Sequence, residues 1–249
     1  MTAILKEERI GRQRLILGDC LQVMKELDAF DALVTDPPYG IGAGNSPNNW
    51  YRRREDNFRP NLVAKYYRSN LVAKNWDNET KNAEIDFARS ICKYQIIFGG
   101  NYYDLPPTSC WLVWDKKTGN FSSADCELAW TNLSKAVRKI DCAWSGCMRV
   151  ENNIPREHPT QKPIRLMKWC IGHLPPKTQS ILDPFIGSGT TLVACESLGK
   201  NGVGIEVDRE YFDVACRRVE EVSKQANLFS NPQDKSQNVV GALQSKLNL

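Results

Sequence analysis

The sequence predicts an open α/β fold, a mostly parallel sheet with helices on both faces. Three observations predict it. Short apolar runs of strand length alternate with stretches whose apolar residues recur every three or four positions. Two of these runs, Ala32-Leu33-Val34 and Ser180-Ile181-Leu182, lead into an acidic residue and a tight turn, at Asp36 and Asp183. The second turn, Gly187-Ser188-Gly189, opens into a helical pattern, and a strand ending in an acid and a tight turn is where such a sheet binds ligands.

Taken in order, residues 14–19 read as a strand ending in Asp19, and 20–27 as one or two helical turns with Leu21, Met24 and Leu27 at three-residue spacing. Residues 32–35 form the next strand. The stretch from Gly40 to about Asp77 is long, polar and without a clear period; it repeats Asn-Leu-Val-Ala-Lys at 61–65 and 70–74, too short for a repeat architecture. Residues 82–93 read as a helix with Ile85, Ala88, Ile91 and Cys92 on one face, and 94–98 as a buried strand stopped by Gly99-Gly100. Residues 111–114 make another strand, with 126–130 its partner. Pro163 starts a helix at its first position, with Ile164, Met167, Cys170, Ile171 and Leu174 as the apolar stripe. A strand at 180–182, the glycine turn, a helix at 190–198, a strand at 202–207 and a helix at 211–222 close a single domain spanning 1–222. The polar tail, 223–249, is expected to be loose.

Composition narrows the function classes. The chain has 249 residues, enough for one α/β domain with a buried core; 41% are hydrophobic and 25% charged, as in soluble globular proteins. No apolar run reaches the ~18–20 residues of a membrane span. The start lacks the basic-then-apolar order of a signal peptide, so a cytoplasmic location is expected. Nine cysteines, at 20, 92, 110, 126, 142, 147, 170, 195 and 216, include no Cys-x-x-Cys pair and suit reduced core thiols; no metal is expected.

Net charge is only +4, but its distribution is uneven. Residues 50–74 carry seven basic residues, Arg52, Arg53 and Arg54 among them, against two acids, interleaved with Trp50, Tyr51, Phe58, Tyr66 and Tyr67. Basic and aromatic residues together suit a surface that neutralises phosphates and stacks on bases. Residues 116–157 hold seven basic against five acidic residues, with Lys116 and Lys117 at their start.

Asp36-Pro37-Pro38-Tyr39 has the parts to hold a planar amine. An exocyclic amine on a base is a poor nucleophile because its lone pair is delocalised into the ring. Two acceptors aimed at its hydrogens localise that pair, and the Asp36 carboxylate and Pro37 carbonyl are the natural acceptors. Pro37 and Pro38 fix the backbone so that the acceptors are preorganised, and Tyr39 offers a flat face for an extruded base. In the later motif, Gly187 and Gly189 let the backbone bend and approach a ligand, and Thr190 and Thr191 open a helix whose free amides suit a carboxylate. Glu206, seventeen residues after Gly189, ends the next strand, where an acid can accept from both ribose hydroxyls. A dinucleotide site is disfavoured because Leu192 stands at the third glycine position and Asp183 would repel pyrophosphate.

These two motifs, in this order, resemble the S-adenosylmethionine-dependent DNA amino-methyltransferases of the permuted, β-type order. The resemblance covers roughly residues 14–40 and 94–220. It implies a Rossmann-like fold with a seven-stranded, mostly parallel sheet carrying one antiparallel strand. It implies S-adenosylmethionine as cofactor, held by Asp19 at the adenine amine, by Glu206, by the turn of Asp183, Phe185, Gly187, Ser188, Gly189 and Thr190, and by the segment His158-Pro159-Thr160-Gln161-Lys162-Pro163. In that segment His158, Thr160 and Lys162 are expected near the methionine end; the residues alone leave open a solvated Lys162. Asp36 through Tyr39 would be catalytic. Double-stranded DNA would be the partner, contacted by a loop at 41–80 with Arg52, Arg53 and Arg54, and by a target-recognition region at 116–157 with Lys116 and Lys117. A cognate restriction nuclease and a homodimer are further partners to test. Asp at the first motif position favours adenine-N6 as the acceptor, with cytosine-N4 the alternative and an inert DNA-binding module the rival from another class. Cytosine-C5 chemistry is disfavoured, since no Pro-Cys pair occurs.

Overall fold

The computed structural model describes residues 2–41, 77–117, 124–145, 148–149, 151, 157–158 and 160–230. Five parallel strands form the centre of its large sheet: β2 (Gln13–Leu17), β11 (Asn201–Glu206), β10 (Ser180–Asp183), β3 (Phe30–Thr35) and β4 (Cys92–Phe98), in that spatial order. Beyond β4 come β6 (Cys126–Thr131), antiparallel to both neighbours, then β5 (Trp111–Asp115) and the edge strand β7 (Arg138–Asp141). At the opposite edge β1 (Lys6–Ile10) forms an antiparallel hairpin with β2. A short ribbon, β8 (Trp144–Ser145) with β9 (Met148–Arg149), stands apart.

The expected count of seven strands is therefore corrected to nine. The stretch from β2 to β5 holds seven strands with β6 alone reversed, and β1 and β7 are added at the edges. Both edge strands are rich in charge (Lys6-Glu7-Glu8-Arg9; Arg138-Lys139), which hides them from an apolar-alternation reading and discourages pairing with another chain.

Strand alternation sends side chains to two layers. Ala32, Val34, Ile96 and Phe98 face α3 (Ile164–Gly172) and α4 (Thr190–Ser197), meeting Leu166, Met167, Cys170 and Ala194. Leu33, Ile97 and Ile16 face the opposite layer, against Val23 and Met24 of α1 (Cys20–Met24) and Ile85 and Ala88 of α2 (Asn82–Ser90). Helix α5 (Arg209–Ser230) covers Leu15 and Leu17 with Phe212, Ala215 and Val219. Cys92, Cys110, Cys142, Cys170 and Cys195 are buried free thiols within these layers. No helix among the described residues is long and apolar enough to cross a membrane.

Two helix expectations are corrected. Pro163 sits at the N-cap of α3 in extended conformation (φ −63°, ψ 141°) rather than inside its first turn. Helix α5 runs through Val222 to Ser230, so the start of the expected loose tail is helical; Phe212, Ala215 and Val219 pack its first half against β2 and α4.

From β3 the chain proceeds outward to β4, and from β10 it proceeds outward on the other side to β11. The crevice at the carboxyl ends of β3 and β10 is thus the switch point at which open α/β sheets bind ligands. Both motif acids lie there, Asp183 closing β10 and Asp36 immediately following β3.

Candidate active site

A cleft of about 720 Å³ opens at this switch point. Its walls run from Asp19 and Glu206 at one end, past Phe185, Gly187 and His158, to Asp36, Pro38 and Lys162.

Asp183 is the joint between the two motifs. Its Oδ1 accepts from Thr35 Oγ1 at 2.7 Å and from Phe185 N at 3.1 Å, and its Oδ2 accepts from Thr191 Oγ1 at 2.6 Å. Burial pushes this carboxyl up to about 6, against those three donors. The expected cofactor residue is therefore committed to tying β10 to β3 and to α4. The turn it starts bends through Gly187 (φ +48°) and Gly189 (φ +78°), left-handed positions that glycine takes without strain. Gly189 caps α4, and Thr190 and Thr191 at the start of that helix line the cleft. Arg218, 6% exposed, donates through Nη1 to the Ser188 carbonyl, Ser188 Oγ and Thr190 Oγ1, so Ser188 and Thr190 are held from behind by a cation.

Glu206 ends β11 beside this turn. Its Oε2 accepts from Gly187 N at 2.9 Å, while Oε1 accepts from Val207 N at 3.0 Å and Asp208 N at 2.9 Å. Asp19 caps α1, accepting from Gln22 N at 3.0 Å, and lies exposed at the cleft mouth. His158 hangs over Gly187: a Cβ there would meet its ring at 3.4 Å. Its Nδ1 is 3.2 Å from Thr160 N, and Tyr211 packs edge-on at 4.3 Å.

The amine motif is closed on itself. Asp36 Oδ1 accepts from Tyr39 Oη at 2.7 Å, and Oδ2 accepts from Lys162 Nζ at 2.5 Å. The Pro38 carbonyl accepts from the Tyr103 hydroxyl, and Pro37 is buried beneath. The Tyr39 ring stacks on Tyr102 at 5.0 Å and 17°. Burial, with the Asp36 and Glu127 charges, holds the Tyr39 hydroxyl well above its ordinary range, so it stays a donor.

Lys162 is thus drawn to Asp36 rather than to the methionine end of the cleft. Lys116 faces inward, 2.5 Å from Glu127 Oε1, and Lys117 pairs with Asp141 at 2.9 Å and Asp115 at 3.3 Å. Arg52, Arg53 and Arg54 lie outside the described residues. Glu127, Tyr102, Tyr103 and Arg218 belong to the site and escaped the sequence reading, because no local pattern joins them to either motif.

The profile of the N6/N4 DNA methylase family matches residues 50–217, more than half of the chain. The chain belongs to that family. The type II methyltransferase M.HpaI of Haemophilus parainfluenzae is 26% identical over 241 residues, covering 84% of this chain and 74% of that protein. Among solved structures, the M1.HpyAVI–SAM complex superposes with a TM-score of 0.51 at 21% identity, over 83% of this chain and 98% of that one. The cytosine-N4-specific PvuII DNA methyltransferase gives 0.53 at 12% identity, over 89% and 95%. At these identities the two structures establish a shared fold. The family match begins beyond Tyr39, so the amine motif rests on its own geometry. As an N6/N4 DNA methylase the protein takes its methyl group from S-adenosylmethionine. The cleft suits that group: carboxylates at the Asp19–Glu206 end for hydroxyl and amine donors, apolar Phe185, Ile205 and Val207 for a ring, and a helix N-terminus for a carboxylate.

Proposed function

We propose that the protein methylates the exocyclic N6 amine of an adenine extruded from double-stranded DNA. The observation that carries this is the Asp36 carboxylate, preorganised at the end of β3 and opening on the same cleft as the Gly187 turn. Glu206 would accept from the ribose hydroxyls and Asp19 from the adenine amine of the cofactor. Phe185 would pack on the adenine, and His158, Thr160 and the Gly187–Thr190 turn would enclose the methionine end. Asp183 acts through Thr35 and Thr191 by fixing the two motifs to each other.

Bound there, S-adenosylmethionine supplies an electrophilic methyl on a positive sulfonium, so no strong base is needed. The residues do the rest. A base entering the site takes the place of the Tyr39 hydroxyl on Asp36 Oδ1. The Asp36 carboxylate and Pro37 carbonyl then draw the two amine hydrogens and localise the nitrogen lone pair. Tyr39, released, offers its ring to the base. The Asp at the first motif position supports adenine over cytosine. A cognate restriction nuclease remains part of this reading as a partner, and a homodimer is the further assembly to measure. Incubating the protein with duplex DNA and cofactor, then mapping modified bases by sequencing, tests the reading: N6-methyladenine is expected, and N4-methylcytosine would replace it.

A further inference from the structure

Glu127 lies on β6, remote in sequence from both motifs, yet it reaches the end of β3. Lys162 Nζ stands 2.5 Å from Asp36 Oδ2 and 3.0 Å from Glu127 Oε2, the latter an ion pair rather than an aligned hydrogen bond. Glu127 Oε1 is in turn 2.5 Å from Lys116 Nζ. The chain Asp36–Lys162–Glu127–Lys116 alternates in sign and sums to zero charge. Lys162 is 7% exposed and lies over the rings of Phe98, Tyr39 and Trp114 at 5.3, 5.8 and 6.0 Å. An ammonium so placed keeps its charge only if anions hold it.

We propose that Glu127, by sharing the Lys162 ammonium, is a positioning residue that leaves Asp36 a strong acceptor with Oδ1 aimed at the incoming base. This rests on the reading of Asp36 as the acceptor of the base amine. Lys162 neutralises the cost of a buried Asp36 charge and fixes Oδ2. Glu127 shares the ammonium, so that Asp36 is not fully quenched by it and stays a strong acceptor. Burial pushes the Asp36 carboxyl above its ordinary value, Lys162 opposes this and Glu127 adds to it. Burial also raises Glu127, but Lys162 and Lys116 outweigh it and hold it at about 2. The other titratable groups facing the chain are Tyr39, Tyr103, Asp183 and Cys170, with Asp77 at the neighbouring loop neck.

The test is the pH profile of single-turnover methylation on duplex DNA, with cofactor affinity measured by calorimetry. In Lys162→Gln, no cation stands between Asp36 and Glu127, and Lys116 remains only on the far oxygen of Glu127. The acid limb should move up by about one unit or more, with the neutral rate down about tenfold and partly restored by alkaline pH. Glu127→Gln in the wild-type background should lower the rate several-fold and move the limb down. Added to Lys162→Gln, the same change removes the repelling anion and should raise the rate, a reversal of sign that a packing role does not produce. Cofactor affinity should stay within a few-fold throughout. An unshifted limb, or Glu127→Gln acting in one direction in both backgrounds, overturns the proposal. Should Lys162→Gln fail to fold, Glu127→Gln alone decides by the direction of its limb. Asp36→Asn separates the two readings: wild-type rates there sink Asp36 as acceptor, whereas loss of rate with unshifted limbs sinks only the role of Glu127.

Discussion

The Glu206 carboxylate accepts three backbone hydrogen bonds, yet burial pushes it up to about 7. Desolvation thus outweighs three donors, and the group titrates where it would meet the cofactor. Its folded value lies above its ordinary 4.5, so the cofactor-free native state holds this proton longer than the unfolded chain does. Between about 4.5 and 7, rising pH therefore erodes this group's contribution to stability. Cofactor binding runs the other way. On the proposed reading, ribose hydroxyls would donate to the ionised carboxylate, so affinity should fall as pH drops through about 7. Calorimetry from pH 8 to pH 6 should show the dissociation constant rising about tenfold in the wild type. Glu206→Gln has no carboxyl to titrate and should bind more weakly with that increment missing. An identical pH dependence in both proteins would remove Glu206 from the ribose site.

At the scale of elements, the glycine turn between β10 and α4 is held by packing as well as by conformation. A Cβ at Gly189 would stand 2.8 Å from Ala215 Cβ and 3.1 Å from its Cα, on α5, at φ +78°. Gly199, also left-handed at +65°, has nothing within 4 Å of such an atom. Gly199→Ala should therefore cost only the backbone strain, about 1 kcal/mol, and Gly189→Ala roughly 2–3 kcal/mol. In a domain of this size that difference is a melting shift of several degrees, read from thermal melts; equal shifts would exclude the contact with α5. This turn was legible in the sequence because glycine, threonine and strand lie within ten residues of one another. The paired strands β3 and β10 were legible for the same reason, each ending in its own acid. The partner of Lys162 was not. Glu127 belongs to a reversed strand whose neighbours β4 and β5 are set by non-local pairing, and its charge looked like that of any solvated residue in a mixed segment. Likewise β1 carries Lys6, Glu7, Glu8 and Arg9 where a strand reading asks for apolar alternation.

For the whole molecule, the long basic stretch begins and ends at the active site. Tyr39 pairs with Thr80 in an isolated bridge, and Gly40 N donates to Asp77 Oδ1 at 2.8 Å, so the chain leaves the amine motif and returns beside it. Arg52, Arg53 and Arg54 lie in that excursion, outside the described residues, while Lys116 and Lys117 are drawn into ion pairs with Glu127, Asp115 and Asp141. Among the described residues, Lys116 and Lys117 therefore carry little spare charge for phosphates, and the three arginines are the basic residues to test. Replacing the three arginines by alanine should weaken duplex binding and leave cofactor binding as it was. Each phosphate that goes unneutralised should flatten the log–log salt dependence by about 0.9, a drop of about two to three units in all. Affinities of wild type and triple mutant at several salt concentrations measure it. An unchanged slope would move the DNA-contacting surface to the β7 edge. There Arg138 is exposed, but Lys139 is already shared between Asp115 at 2.9 Å and Asp141 at 3.1 Å, which leaves that edge little spare charge.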